Sequence, residues 1–155
     1  MLYRLHGIIM VGVSLVYNTL YWIWHLPWLW ITHDKMKLIK ATLKTKADVR
    51  LLMRQFIWTE DRFIDWQPWI ITLFHKQFKD DCDGAAVLAK WALHQVGVES
   101  RIIRLWKKGS TEGHSVCVSN DNKIIISNDD YSDIDKTPFP QNVYDYFGNH
   151  FNIMT

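Results

Sequence analysis

Cys82 and His114 are the two residues whose type and setting suggest chemistry. Cys82 sits in a polar run, Lys79 to Asp83 (KDDCD), and is followed by an apolar one, Gly84 to Val96 (GAAVLAKWALHQV). That places a thiol at the start of a helix. Unpaired backbone N–H groups and the helix dipole favour negative charge there and so favour the thiolate, the nucleophilic form. A nucleophile also needs a base, and the base needs an orienting group. His114 stands at the head of a strand-like run, just after the Gly109 to Gly113 loop. With the following turn centred near Asp121, the positions opposite His114 fall at Asn128 and Asp129. The order is then nucleophile, base, orienter. Taken singly, a cysteine at a helix start or a histidine at a strand start is more often a packing residue. The combination carries the reading. One feature opposes it: Asp80, Asp81 and Asp83 surround the thiol, and their charge raises its pKa.

The elements that must position these groups follow from periodicity. Gly84 to Val96 is apolar nearly all round, which predicts a buried helix, and Gly97 suits its end. Thr45 and Asp48 form a capping-box pattern ahead of a helix running to about Trp58, with Val49, Leu52, Met53 and Phe56 at helical spacing. Asp34 to Lys44 is lysine-rich, with Met36, Ile39 and Leu43 on one stripe; the lysines read as a solvated face. Asp61 to Phe78 is less regular and is broken by Pro68. Arg101 to Trp106, Ser115 to Ser119 and Lys123 to Ser127 are strand-like, and Asn120 to Asn122 forms a tight turn between the last two. Helices followed by hairpin-connected strands predict an α+β fold with an antiparallel sheet. The tail from Asp130 resists assignment.

The N-terminus has its own character. From Leu5 to His33 there is no Asp, Glu, Lys or Arg, and Gly7 to Trp24 is long enough for a membrane helix. Trp22, Trp24, Trp28 and Trp30 cluster at its far end, and Lys35, Lys37 and Lys40 follow, as at a membrane interface. Asn18, His25 and Pro27 weaken that reading in favour of a helix packed on the domain. A cleaved signal peptide is the poorest fit, since no small-residue cleavage site follows. Two regions are therefore expected: residues 1–33, an apolar segment able to act as an anchor, and residues 34–155, one domain. The expected location is membrane-associated or cytoplasmic.

Bulk properties narrow the function. With 155 residues, 48% apolar and 22% charged, the chain is globular. A net charge of +2 gives no reason to expect nucleic acid as a partner. Two cysteines are too few for a disulfide framework. Neither a metal nor another cofactor is expected. A zinc site from Cys82, His114 and Cys117 fails because His114 and Cys117 point to opposite faces of one strand. Asp80, Asp81 and Asp83 lack the Gly and terminal Glu of a calcium loop.

Three blocks, in order, resemble the transglutaminase-like superfamily, most of all the bacterial transglutaminase-like cysteine peptidases. They are DWQPW, DDCDGAAVLAKWALHQVGVESRIIRL and EGHSVCVSNDNKIIISND. The resemblance runs from Phe56 to Tyr131, about half the chain. It implies a papain-like or transglutaminase-like core with the nucleophile helix packed on the antiparallel sheet. It also implies Cys82 as nucleophile, His114 as general base and acid, and Asp129 as orienter, with Asn128 its competitor. The Cys82 N–H would be one oxyanion donor and the Gln77 side chain a second. The implied activity is attack on an amide bond of a protein or peptide through a thioester. The other readings are an inactive binding module on this fold, and a small membrane protein whose N-terminal segment is the working part.

Overall fold

The computed structural model describes residues 2–60, 67–108, 113–134, 140–148 and 151–154, and only the backbone of residues 2–11, 142, 145 and 154. It is an α+β fold with an N-terminal helical region and a five-stranded antiparallel sheet. Helix α1 (Leu2–His25) leads through a 3-10 turn (Leu26–Trp28) into α2 (Leu29–Thr42), which runs through the expected boundary at residue 33. Helix α3 (Lys46–Met53) is shorter than its apolar spacing suggests. Its start carries the expected capping box: Thr45 accepts from the Asp48 N–H, and the Asp48 carboxylate accepts from the Thr45 N–H at 2.7 Å.

The stretch beyond α3 is more ordered than its sequence promises. Strand β1 (Ile57–Trp58) pairs in parallel with β2 (Lys79–Asp80), and α4 (Ile70–His75) lies between them. Asp65 and Trp66 of the DWQPW block lie outside the described residues. Helix α5 (Cys82–Gln95) then crosses the sheet. It ends as expected in a Schellman motif: Val98 N–H donates to the Leu93 carbonyl, Gly97 N–H donates to the His94 carbonyl, and Gly97 takes φ +76°.

The sheet contains β3 (Ser100–Lys107), β4 (Gly113–Ser119), β5 (Ile124–Ser127), β6 (Asp130–Asp133) and β7 (Phe151–Met154), in the order β6-β5-β4-β3-β7. Two of these strands, and helix α6 (Gln141–Phe147), come from the tail that periodicity left unassigned. The sheet is covered on both faces. Cys117, Ile124, Ile126 and Tyr131 join α5, α4 and α3 in one core. Val116, Val118, Ile103 and Ile125 face the other way, toward Val143 and Phe147 of α6 and Phe151 of β7.

Helix α1 is fastened to the domain by polar groups. Asn18 is fully buried. Its Nδ2 donates to the Gln67 carbonyl at 3.1 Å, and its Oδ1 accepts from the Trp69 N–H at 2.8 Å and from Thr72 Oγ1 at 3.1 Å. The Gln67 N–H donates to Ser14 Oγ, and Trp22 Nε1 donates to Thr72 Oγ1. Among the described residues, no helix is long and apolar enough to cross a membrane. Replacing Asn18 by Ala strands the Trp69 N–H and the Gln67 carbonyl in a buried seam. A loss of about 2 kcal/mol in urea denaturation is expected; no loss would show that the seam does not hold α1.

Candidate active site

Cys82 is the first residue of α5 and is half-buried. Asp81 is the N-cap, and its side chain accepts from the Asp83 N–H at 3.0 Å. The turn is tight enough that a Cβ on Gly84 would lie 2.4 Å from the Asp80 Cβ, so only glycine fits there. Asp80 is buried and ion-paired with Lys76 at 2.7 Å. Burial pushes its carboxyl up, and the Lys76 ammonium pulls it back.

The tip of α5 is locked to the sheet by Asp83. Its carboxylate accepts from Arg104 Nη2 at 3.0 Å and from the Ser115 hydroxyl, and Arg104 and Ser115 face each other across the β3–β4 ladder. Ser115 immediately follows His114. The helix start and the start of β4 therefore lie at the same level of the fold.

The strand pleat decides where His114 points. Ser115 and Cys117 face α5, whereas His114 alternates with them and shares a face with Val116 and Val118. Its ring packs edge-on against Phe147 of α6, with centroids 5.7 Å apart. Its Nε2 lies 2.8 Å from Ser127 Oγ. Burial holds the imidazole below its ordinary pKa, and the Asp83 charge opposes that shift.

The remaining expected residues are placed as follows. Asp129 is exposed in the two-residue turn between β5 and β6. Asn128 precedes it at φ 54°, a conformation asparagine tolerates, and its buried side-chain oxygen has no hydrogen-bond donor among the described residues. The hydrogen-bonding group beside His114 is thus Ser127, not Asp129 or Asn128. The β4–β5 register sets Cys117 opposite Ile126, which would bring Asp129 opposite His114 if pairing continued. The paired ladder stops short of that point, and the diagonal contact to Ser127 takes over. Gln77 is exposed in the turn after α4, with φ 56°. Residues 109–112 of the loop before His114 lie outside the described residues.

Cys117 is buried inside the sheet core and its thiol is pushed up to about 11. An open groove of about 650 Å³ meets α5 at Val87, Lys90, Trp91 and His94, more than one turn beyond Cys82, with Ser14 and Leu15 of α1 on its far wall. Among the described residues, no group of three acidic, histidine or cysteine side chains is placed to hold a metal ion.

No protein-family model matches the chain, and no curated protein matches it in sequence. The class that the fold itself defines is α+β, with a cysteine-headed helix packed on an antiparallel sheet.

Two outcomes follow from this geometry. Asp83→Ala leaves the Arg104 guanidinium half-buried without its partner and should cost about 3 kcal/mol. Ser115→Ala should cost about 1 kcal/mol. The double variant should lose less than the sum, because both act through one carboxylate; strict additivity in urea melts would count against the lock. The second outcome concerns pH. The folded His114 binds protons less readily than the unfolded chain, so its contribution to stability is present above the ordinary imidazole pKa and is lost as pH falls through the depressed value. Urea midpoints should fall between about pH 7.5 and about pH 5.5. His114→Gln should shrink that fall, and an unchanged slope would show that His114 does not report on folding.

Proposed function

We propose that the protein is a thiol hydrolase or acyltransferase of transglutaminase-like type acting on amide bonds of proteins or peptides, with Cys82 as nucleophile and His114 as base. The observation that carries this reading is the alignment of the α5 tip with the start of β4, where Asp83 holds Ser115 next to a half-buried His114 whose pKa burial lowers. His114 accepts the thiol proton, and the Cys82 sulfur attacks the carbonyl carbon. The developing oxyanion is met by the backbone N–H of Cys82, and the amine leaves with the proton from the imidazolium. Water then attacks the thioester carbon, giving one proton to His114; the C–S bond breaks, the departing Cys82 sulfur takes that proton back from the imidazolium, and the new carboxyl group leaves as the carboxylate, its remaining proton passing to solvent. Ser127 engages Nε2, so Nδ1 is the ring nitrogen left to exchange the proton with the thiol. Ser127 replaces a carboxylate as the orienting group, with Asn128 and Asp129 next to it in the chain.

A second reading, an inactive module on the same fold, draws support from the pleat. His114 lies on the α6 face of β4 and Cys82 heads the helix on the other face, so a contact between the two would have to run around the end of β4, one residue from His114.

Thiol alkylation followed against pH separates the two. Cys117 is buried and its thiol raised, so a single modification at Cys82 is expected in the native protein. An enzyme predicts a Cys82 midpoint below the free-thiol value of about 8.5, moving up toward it in His114→Ala. A midpoint at the free-thiol value that ignores His114 would rule out the catalytic pair and leave the inactive module.

A further inference from the structure

Helix α1 has its polarity reversed relative to a helix in water. The stripe it turns to the domain is Ser14, Asn18 and Trp22, with Tyr21 and His25 beside it, and it is held by hydrogen bonds. The side it turns outward is apolar: Val16, Leu20, Ile23 and Trp24 are all more than half exposed, Trp24 at 82%. In the 3-10 turn and α2, Leu26, Trp28, Trp30, Ile31 and Leu38 are likewise at least half exposed. A monomeric soluble domain rarely exposes so many large apolar side chains on adjoining elements, and such exposure marks a place that something covers.

We propose that the outward rim of α1, the 3-10 turn and α2 dips into the interface of a bilayer carrying anionic lipid, lying in its plane. Three observations favour lipid as the occupant. First, no acidic residue occurs from Leu5 to His33, so no carboxylate is carried into the apolar layer. Second, Trp24, Trp28 and Trp30 gather at one corner, and indole rings favour the headgroup level. Third, the charge on α2 is mainly basic: Lys35, Lys37 and Lys40 are exposed, and Asp34, the acid of that helix, is paired with Lys37 at 3.8 Å. Basic groups beside a buried apolar rim are what anionic headgroups attract. The inward polar stripe fits the same picture. The Asn18 seam fastens α1 to the rest of the chain, so the rim brings the whole domain to the membrane surface. The proposal is independent of the thiol chemistry.

The experiment is flotation of the full chain with phosphatidylcholine vesicles, with and without phosphatidylserine, alongside size-exclusion chromatography of the same samples. Flotation with the anionic vesicles is expected, weaker with the neutral ones and reduced by added salt. Trp24→Glu with Trp30→Glu changes two exposed side chains and should lower vesicle affinity roughly tenfold or more, with Cys82 alkylation unaltered. Lys35→Glu with Lys40→Glu should remove the preference for the anionic vesicles. The proposal is overturned if the chain stays in the aqueous fraction with both vesicle types. It is equally overturned if the chain elutes as a discrete dimer that the tryptophan variant dissociates while neither form floats, since a second copy would then cover the rim.

Discussion

The carboxylate of Asp83 sets the geometry on which the rest of the site depends. Helix α5 meets the sheet mainly through Ala85, Leu88, Ala89, Ala92 and Leu93, a surface of small and aliphatic side chains. Such packing supplies burial, but it is weakly directional and tolerates sliding along the helix axis. Two charge-assisted hydrogen bonds, to Arg104 on β3 and Ser115 on β4, remove that freedom. The contact of Gly84 with Asp80 closes the other side, where any larger residue would collide with the Asp80 side chain. The first turn of α5 is therefore fixed in height and rotation against the strand that carries His114.

The same device recurs at α1. There, too, an apolar element is fixed by buried polar groups, with Asn18 bridging Gln67, Trp69 and Thr72. In both places hydrogen bonds specify position and apolar area supplies bulk affinity. The difference lies in the second face. Helix α5 is covered on nearly every side, whereas α1 has a covered stripe and an uncovered one, and the uncovered one is the more apolar.

Much of this was legible in the sequence where the signal is local. Thr45 with Asp48 fixed the start of α3, Gly97 the end of α5, and Asn120 to Asn122 the β4–β5 turn. The apolar stripe Val49, Leu52, Met53 and Phe56 is buried as its spacing implies. What failed to show depends on distant partners. Strands β1 and β2 have two residues each, too short for any period, and exist because Ile57 and Trp58 meet Lys79 and Asp80. Strand β7 is held by β3 from the far end of the sequence. The face of His114 was hidden for a related reason. Alternation reveals a strand's inner face only when the other face is polar. Here α5 covers one side and α6 the other, so both sets of β4 residues are buried and the pattern carries no parity. The Ser127 contact lies on the diagonal of the ladder, two residues from the position directly opposite His114, where the strand pattern carries no signal.

The acidic run around Cys82, which in sequence argues against a thiolate, changes meaning once its partners are known. Asp80 carries the Lys76 ammonium at 2.7 Å, and Asp83 carries the Arg104 guanidinium at 3.0 Å. Each pair presents a dipole to the thiol instead of a full negative charge, and a dipole's field falls off faster with distance than that of a charge. Asp81 is the N-cap, and its side chain accepts from the Asp83 N–H. On the proposed reading, the dipole of a 14-residue helix opposes the electrostatic penalty on the thiolate that remains. On the same reading His114 is the base: burial lowers its pKa, and the Asp83 charge opposes that shift and so favours the imidazolium in the proposed proton transfer. One carboxylate, Asp83, therefore fixes the helix against the strand and, in the proposed mechanism, also favours the protonated form of His114.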